Sequence, residues 1–184
     1  AGVHMTTRQL TVDGFETAFA VNHLASFLFT RLLLDKMLAS APARIIQVNS
    51  EGHRFNGLKL DDLTWAKRRY KGLQGYGASK TAQLMTVWEL AERLQGTGVT
   101  INAVHPGEVA TNIGMNNGWL YRWYQTYLLA HVLKDPKISG EALYYFAAAP
   151  ELNTISGKFF NLTHEEKPAA HALDRKIGKQ IWDI

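Results

Sequence analysis

The amino-acid sequence predicts an α/β domain built on a parallel sheet, and two observations carry this prediction. Segments with helical and strand-like hydrophobic patterns alternate along the chain, as they do where helices connect parallel strands. The composition is that of a globular domain, with 46% hydrophobic and 20% charged residues in a chain of 184. Only a few strands are recognisable, fewer than the ~5–6 of a typical sheet. We therefore expect one domain over residues 1–184 that forms only the C-terminal portion of a larger sheet.

The first predicted helix covers about residues 11–38, where apolar side chains recur at helical spacing around the polar residue Asn22. Pro42 ends this pattern, because proline has no N–H to donate and its ring disfavours helical geometry in the preceding residue. A β-branched run at 44–50 then predicts a buried strand. Residues 51–75 are polar and without periodicity, which predicts an irregular loop.

A second helix is predicted over residues 76–95. No charged residue falls between Lys80 and Glu89, so this helix either is buried on much of its surface or pairs with another subunit in a homodimer. The aromatic-rich segment 114–134 predicts a helical flap, whose side chains pack in the core, cover a lipophilic substrate or lie on a membrane surface. The remaining predicted elements are a strand at 99–105, a helix at 139–149 and a short strand at 158–161.

Composition and charge exclude several classes of function. The chain has no cysteine, so it has neither a disulfide framework nor a thiolate metal site. Its histidines form no pair at metal-ligand spacing around a carboxylate. The net charge of +4 is too small an excess to indicate nucleic-acid binding. No run of ~18 apolar residues is visible, so we expect no membrane span and a cytoplasmic location.

Tyr76 and Lys80 form the sharpest chemical pattern in the sequence. Residues four apart share one face of a helix, so the phenol and the ammonium point the same way. A free tyrosine has a pKa near ~10, and a neighbouring cation lowers that pKa because it favours the phenolate. The phenol then becomes an acid or base usable at neutral pH. The alternative is a surface tyrosine beside a solvated lysine.

Polar or turn-forming residues follow both long strands. Ser50 lies at the carboxyl end of strand 44–50, where open α/β sheets bind ligands, and its hydroxyl is suited to bond a substrate carbonyl. A turn-forming serine is the alternative. Pro106 and Gly107 follow the next strand, where the backbone meets a flat ligand or forms a plain turn. Asn22 is a poor helix former in mid-helix, so it is either a polar surface position or a buried hydrogen-bonding group.

Four segments, in this order, resemble the short-chain dehydrogenase/reductase family, and within it the retinol dehydrogenase-related branch. The resemblance covers nearly the whole chain, and ordered motifs are far more specific together than any one alone. It implies a Rossmann-like, doubly wound parallel sheet and hydride transfer between NAD or NADP and a lipophilic alcohol or carbonyl substrate. The four segments are Val-Asn-His-Leu at 21–24, Arg-Ile-Ile-Gln-Val-Asn-Ser at 44–50, Tyr-Gly-Ala-Ser-Lys at 76–80 and His-Pro-Gly-Glu-Val-Ala-Thr at 105–111.

The resemblance also implies a role for each matching residue. Tyr76 is the expected acid/base, Lys80 lowers its pKa and holds the nicotinamide ribose, and Ser50 orients the carbonyl. Asn22 supports a proton relay through water. Besides Tyr76 and Lys80, the residues expected to bind the cofactor are Ala1 and Gly2, which match the end of a family motif, and Pro106, Gly107, Val109 and Thr111, which line the nicotinamide end.

Two departures from the family pattern stand out. Asn49 occupies a position where the family more often has serine, with Ser50 still present. The glycine-rich turn that binds the pyrophosphate has no counterpart, since Gly72, Gly75 and Gly77 follow a polar loop rather than a strand. We therefore expect about the first third of such a domain to be absent from this chain. The alternative function is a non-catalytic interaction module, or a fragment that keeps the catalytic residues without holding cofactor.

Overall fold

Four strands form one sheet in the order β1–β2–β3–β4. β1 (Ala43–Val48), β2 (Val99–His105) and β3 (Phe159–Asn161) run parallel, and β4 (His164–Glu165) pairs antiparallel with β3. The parallel strands are those that the sequence predicts, with bounds within two residues. The computed structural model describes residues 2–109, 113, 117–119, 123 and 134–184. Within these ranges no strand pairs with the outer edge of β1.

Helices cover both faces of this sheet, which confirms the predicted doubly wound α/β class. α1 (Thr17–Ala39) and α2 (Gly72–Arg93) lie on one face, and α4 (Arg175–Asp183) packs on the outside of α2. α3 (Lys137–Ala148) lies on the other face, where Phe146 is fully buried. The buried side chains between α2 and the sheet include Leu84, Val87, Leu90, Val99, Ile101, Ala103 and Phe159.

α1 begins six residues later than predicted and contains a π-helical turn. Glu16 caps its first turn, because the carboxylate accepts hydrogen bonds from Ala18 N at 2.9 Å and Phe19 N at 2.8 Å. The polar residues before it form a turn around Gly14, whose φ of +84° suits glycine rather than a helix. The π-helical turn follows at Ala20–Leu24, and such turns are frequent at functional sites.

α1 is also long and apolar enough to cross a membrane, by length and composition alone. It has 23 residues, its most apolar window has a mean hydropathy of 1.3, and 22% of that window is buried in the protein. Core helices of water-soluble proteins pass the same test. The expectation that no segment meets this criterion is wrong, because Asn22 and Ser26 interrupt the apolar run without lowering its mean hydropathy enough.

α2 begins four residues earlier than predicted, at Gly72. Glycine is a poor helix former, which favours a loop from the sequence, but close packing here requires a residue without a side chain. A Cβ at residue 75 would lie 2.6 Å from the hydroxyl of Tyr70. From Gly75 to Leu90 the helix is buried by its own chain. This burial accounts for the uncharged stretch without a second subunit, and the homodimer stays a prediction.

Some elements have no counterpart among the predictions. Asp174 caps α4, since its carboxylate accepts hydrogen bonds from the N–H groups of Lys176 at 3.0 Å and Ile177 at 3.1 Å. The segment predicted as a loop contains two short 3-10 helices, at Glu51–Phe55 and Leu60–Asp62. The helical flap predicted at 114–134 lies mostly outside the described residues.

Candidate active site

The carboxyl ends of β1 and β2 lie side by side and bring the predicted site residues to one edge of the sheet. Val48 pairs with Val104 in register, and Asn49 N donates to Val104 O at 2.8 Å. Ser50 therefore follows β1 beside the point where Pro106 follows β2. Open parallel sheets bind ligands at this edge, in the crevice outside the strand ends.

Ser50 and Tyr76 lie close together, on either side of Gly52. Ser50 caps the turn Glu51–Phe55, where its Oγ accepts a hydrogen bond from Gly52 N at 3.0 Å. α2 packs against this turn and brings the Tyr76 ring to Gly52, the residue whose N–H is bound by Ser50. Burial raises the pKa of Tyr76, and the neighbouring Ser50 side chain offsets only part of that rise.

Two glycines allow the close approach of this turn to α2. A Cβ at residue 52 would lie 2.8 Å from Cδ1 of Tyr76 and 3.3 Å from Oγ of Ser50. A Cβ at Gly77 would lie 2.8 Å from the carbonyl oxygen of Gly52. All three distances are shorter than ordinary van der Waals contact, so a side chain at either position would push the turn and α2 apart. Gly52 was not among the predicted site residues.

Lys80 lies one turn further along α2 and is 4% exposed. Its ammonium donates to Val48 O and to Oε1 of Gln83, each at 3.2 Å. Burial lowers its pKa to about 8, which leaves it mostly protonated at neutral pH. The expected lowering of the Tyr76 pKa by Lys80 stays a prediction. Burial of the phenol dominates, and the described bonds of the ammonium run to β1 and Gln83 rather than to the phenol.

Asn22 is buried, and its side chain is fully engaged by the protein. Its Oδ1 accepts from Val3 N at 2.8 Å, and its Nδ2 donates to Val3 O and to Ser79 Oγ, each at 2.9 Å. The Ser79 hydroxyl in turn donates to Tyr76 O at 2.7 Å. Gly2 lies against this group, since a Cβ there would be 3.3 Å from Asn22 Oδ1. Asn22 is therefore the buried hydrogen-bonding group of the two alternatives, and it fixes the first residues beside α2.

The turn after β2 carries the other predicted cofactor residues. Gly107 has a φ of +87°, a conformation that favours glycine, and a Cβ there would meet Leu162 at 3.1 Å. Ser139 Oγ donates to Pro106 O at 2.6 Å, which fixes the turn to α3. Val109 forms an isolated bridge with Lys134. Ala1 and Thr111, also predicted to bind the cofactor, lie outside the described residues.

His53 is a further buried residue that the predictions missed. Its Nε2 accepts a hydrogen bond from Ala169 N at 3.1 Å, so its Nδ1 carries the proton and donates to Ser50 O at 2.8 Å. The imidazole therefore joins the Ser50 turn to the C-terminal segment. Burial lowers the pKa of His53, which favours this neutral form. Nothing in the local sequence distinguishes His53 from an exposed loop residue.

A known family matches this arrangement. The family model described as short chain dehydrogenase matches residues 1–119, more than half of the chain. The chain belongs to this family. Human retinol dehydrogenase 13 is 40% identical over 186 residues, which cover 99% of this chain and 56% of that protein. Human retinol dehydrogenase 14 is 36% identical over 100% of this chain and 55% of its own length. The predicted retinol dehydrogenase-related branch is confirmed, and the chain spans about half the length of these relatives.

Solved structures of short-chain dehydrogenases and related proteins share the fold. A protein of uncharacterised function from Mycobacterium paratuberculosis has a TM-score of 0.74 at 26% identity, over 100% of this chain and 62% of that one. The angucycline C-6 ketoreductase solved with NADP has a TM-score of 0.58 at 22% identity, over 89% of this chain and 59% of that one, a likeness of fold alone. The predicted Rossmann-like fold is confirmed. The matching family model and these relatives are named for dehydrogenases, the class of enzyme that the resemblance implies.

The prediction of a cytoplasmic location is wrong. Its premise was that no apolar segment is long enough to cross a membrane, and α1 meets that criterion by length and composition. The relationship to retinol dehydrogenases 13 and 14, which are named for an alcohol that partitions into lipid, also conflicts with it.

Proposed function

We propose that the protein is an NAD(P)-dependent oxidoreductase that interconverts a lipophilic alcohol and its carbonyl form, with Tyr76 as the acid/base. The juxtaposition of Ser50 and Tyr76 on either side of Gly52, at the ligand-binding edge of the sheet, carries this proposal. Lys80 lies one helical turn away, on the same face of α2. In the proposed reaction, a substrate carbonyl oxygen accepts a proton beside Tyr76 and Ser50.

Each residue of this group has a distinct task in the proposed reaction. In carbonyl reduction, the Tyr76 hydroxyl donates its proton to the carbonyl oxygen, and the Ser50 hydroxyl donates a hydrogen bond to the same atom. In alcohol oxidation, the Tyr76 phenolate takes the hydroxyl proton, and the Lys80 ammonium favours that phenolate against the effect of burial. Asn22 supports the proton path behind Lys80. The bound cofactor supplies the hydride chemistry.

The residues at this edge fit a nicotinamide cofactor. An ammonium has three N–H groups, and the two described acceptors of Lys80 leave the third for a ribose hydroxyl. Gly107 has no side chain to obstruct a flat ring that approaches the turn after β2. The proposed cofactor contacts beyond Tyr76, Lys80 and Gly107 are Ala1, Gly2, Pro106, Val109 and Thr111.

The lipophilic character of the proposed substrate is supported by two observations. The relatives at 36–40% identity are named retinol dehydrogenases, and retinol is an apolar alcohol. Trp119 and Trp123 are 73% and 50% exposed and offer apolar surface to such a substrate or to a membrane. We expect the full-length protein to reduce all-trans-retinal with a higher kcat/KM than it reduces acetaldehyde. An equal kcat/KM for the two aldehydes contradicts this part of the proposal.

Replacement of Tyr76 by phenylalanine tests the proposed acid/base. Tyr76→Phe removes only the hydroxyl, so we expect kcat for carbonyl reduction by the full-length protein to fall roughly 10²–10⁴-fold. Tyr144→Phe is the matched control, because Tyr144 is exposed on α3, and it should retain activity. Full activity of Tyr76→Phe overturns the proposed mechanism.

A cofactor-binding experiment distinguishes two hypotheses: an active enzyme, and a chain that keeps the catalytic residues but does not bind the cofactor. The fluorescence of NADH and NADPH, titrated with the 184-residue chain and with the full-length protein, reports binding in each. Binding by the full-length protein supports the enzyme whatever the shorter chain does. If the full-length protein binds neither nucleotide, the non-catalytic interaction module is the better interpretation.

A further inference from the structure

Gln83 is a buried amide next to Lys80 that none of the tasks above uses. It lies in α2, 4% exposed, and both ends of its amide are engaged. Its Oε1 accepts from Asn49 Nδ2 at 2.8 Å and from Lys80 Nζ at 3.2 Å. Its Nε2 donates to Asn22 O at 3.0 Å and to Ser26 Oγ at 3.2 Å. Four partners fix the amide in one orientation, with its oxygen towards the ammonium.

We propose that Gln83 is a positioning residue for Lys80 and connects it directly to Asn22. The resemblance to the family implies that Asn22 supports a proton relay through water, and the side chain of Gln83 joins the Lys80 ammonium to the Asn22 carbonyl oxygen. Asn49, the departure noted in the sequence, holds the other side of the Gln83 oxygen and also donates to Lys80 O at 3.0 Å. The two amides therefore act as a pair that anchors the lysine.

This pair determines both the direction and the charge of the Lys80 side chain. Among the described residues no carboxylate forms an ion pair with Lys80, and burial is the only resolved influence on its pKa. Two oxygen acceptors, Val48 O and Gln83 Oε1, are thus what stabilise a buried ammonium in place of water. With these two N–H groups held, the third is directed away from β1 and the amide pair.

The protonation of Lys80 tests this role directly and requires no bound cofactor. The protein is labelled with ¹⁵N at lysine Nζ, and the Lys80 signal is assigned by its absence in Lys80→Met. Gln83→Leu keeps the size and removes the acceptor, so the pKa of Lys80 should fall by about one pH unit. Gln83→Glu adds a carboxylate beside the ammonium, so the pKa should rise by about one to three pH units. Leu84→Ala, a core change on the same helix, should leave it unchanged.

The same variants also provide a test by enzyme kinetics, and this second test rests on the proposed function. The fall of kcat/KM at high pH in carbonyl reduction should move to lower pH in Gln83→Leu and to higher pH in Gln83→Glu. Opposite shifts are not produced by a general loss of packing. If Gln83→Leu does not fold, the rise in Gln83→Glu decides the outcome. The role of Gln83 is overturned if neither Gln83 substitution changes the pKa of Lys80, or if Leu84→Ala shifts that pKa by an equal amount. Full activity of Tyr76→Phe overturns the proposed function and leaves the Lys80 titration interpretable.

Discussion

Replacement of Gly52 by alanine tests whether contact between the Ser50 turn and the Tyr76 ring sets activity. The added Cβ would lie 2.8 Å from Cδ1 of Tyr76, which is 0.6 Å short of the 3.4 Å at which ordinary contact begins, and it would lie closer still to Cε1. Either the ring or the turn must therefore move by at least that amount. A misplacement of ~1 Å in a catalytic group costs ~10²-fold in rate, so we expect kcat/KM to fall roughly 10–100-fold.

The assay is carbonyl reduction by the full-length protein with saturating NADPH or NADH, together with urea unfolding. Gly140→Ala is the matched control, because no heavy atom lies within 4 Å of a Cβ at that position and the residue is in α3. It should keep full activity and gain about 0.5–1 kcal/mol of stability from the higher helix propensity of alanine. Unchanged kcat/KM in a folded Gly52→Ala protein would refute the reasoning, since the clash would then be absorbed without displacing the phenol.

Two further predictions concern stability. Burial lowers the pKa of His23 to about 3, whereas a histidine in the unfolded chain has a pKa near 6.5. The contribution of neutral His23 to the free energy of unfolding is therefore complete above pH 6.5 and declines as the pH falls towards 3. Between pH 6.5 and 4.5 we expect the burial of His23 to cost about 2 kcal/mol of stability. His23→Phe, whose ring would lie between Phe19 and Phe27, should abolish this loss when urea unfolding is measured at both pH values. Equal acid sensitivity of the two proteins contradicts this. Glu16→Ala should lower the free energy of unfolding by about 1–2 kcal/mol, because α1 loses its N-terminal cap. The control Glu141→Ala, on the exposed surface of α3, should change the free energy of unfolding by under ~0.5 kcal/mol. Equal losses in the two variants argue against the cap.

Elements with strong local patterns were predictable from the sequence. β1 and β2 are β-branched runs bounded by proline or glycine, and the structure forms them within two residues of the predicted bounds. The same local signals were present for α4, where Asp174 precedes Ile177 and Ile181 at helical spacing, so its omission was avoidable. β4 has only two residues and forms because the chain reverses after β3, a feature too short for any periodic signal.

The start of α2 depended on tertiary packing rather than on propensity. Gly72 and Gly75 indicate a loop by their intrinsic preferences, yet both are required because Met5 and Tyr70 approach them closely. The same holds for Gly52, whose neighbour Tyr76 lies 24 residues later in the chain. Sequence patterns report what a residue prefers, and these positions are decided by what lies against them.

The candidate site also has features that the local sequence predicts and features that depend on tertiary packing. The spacing of Tyr76 and Lys80 correctly places both side chains on one face of α2, beside Ser50 at the end of β1. Spacing cannot determine where the ammonium points, because its acceptors come from β1 and from an amide fixed by α1. The amide side chain of Gln83, in the uncharged stretch after Lys80, was the available signal that α2 has a buried hydrogen-bonding face. The proposed effect of Lys80 on the Tyr76 pKa therefore depends on this assembled network and not on the motif alone.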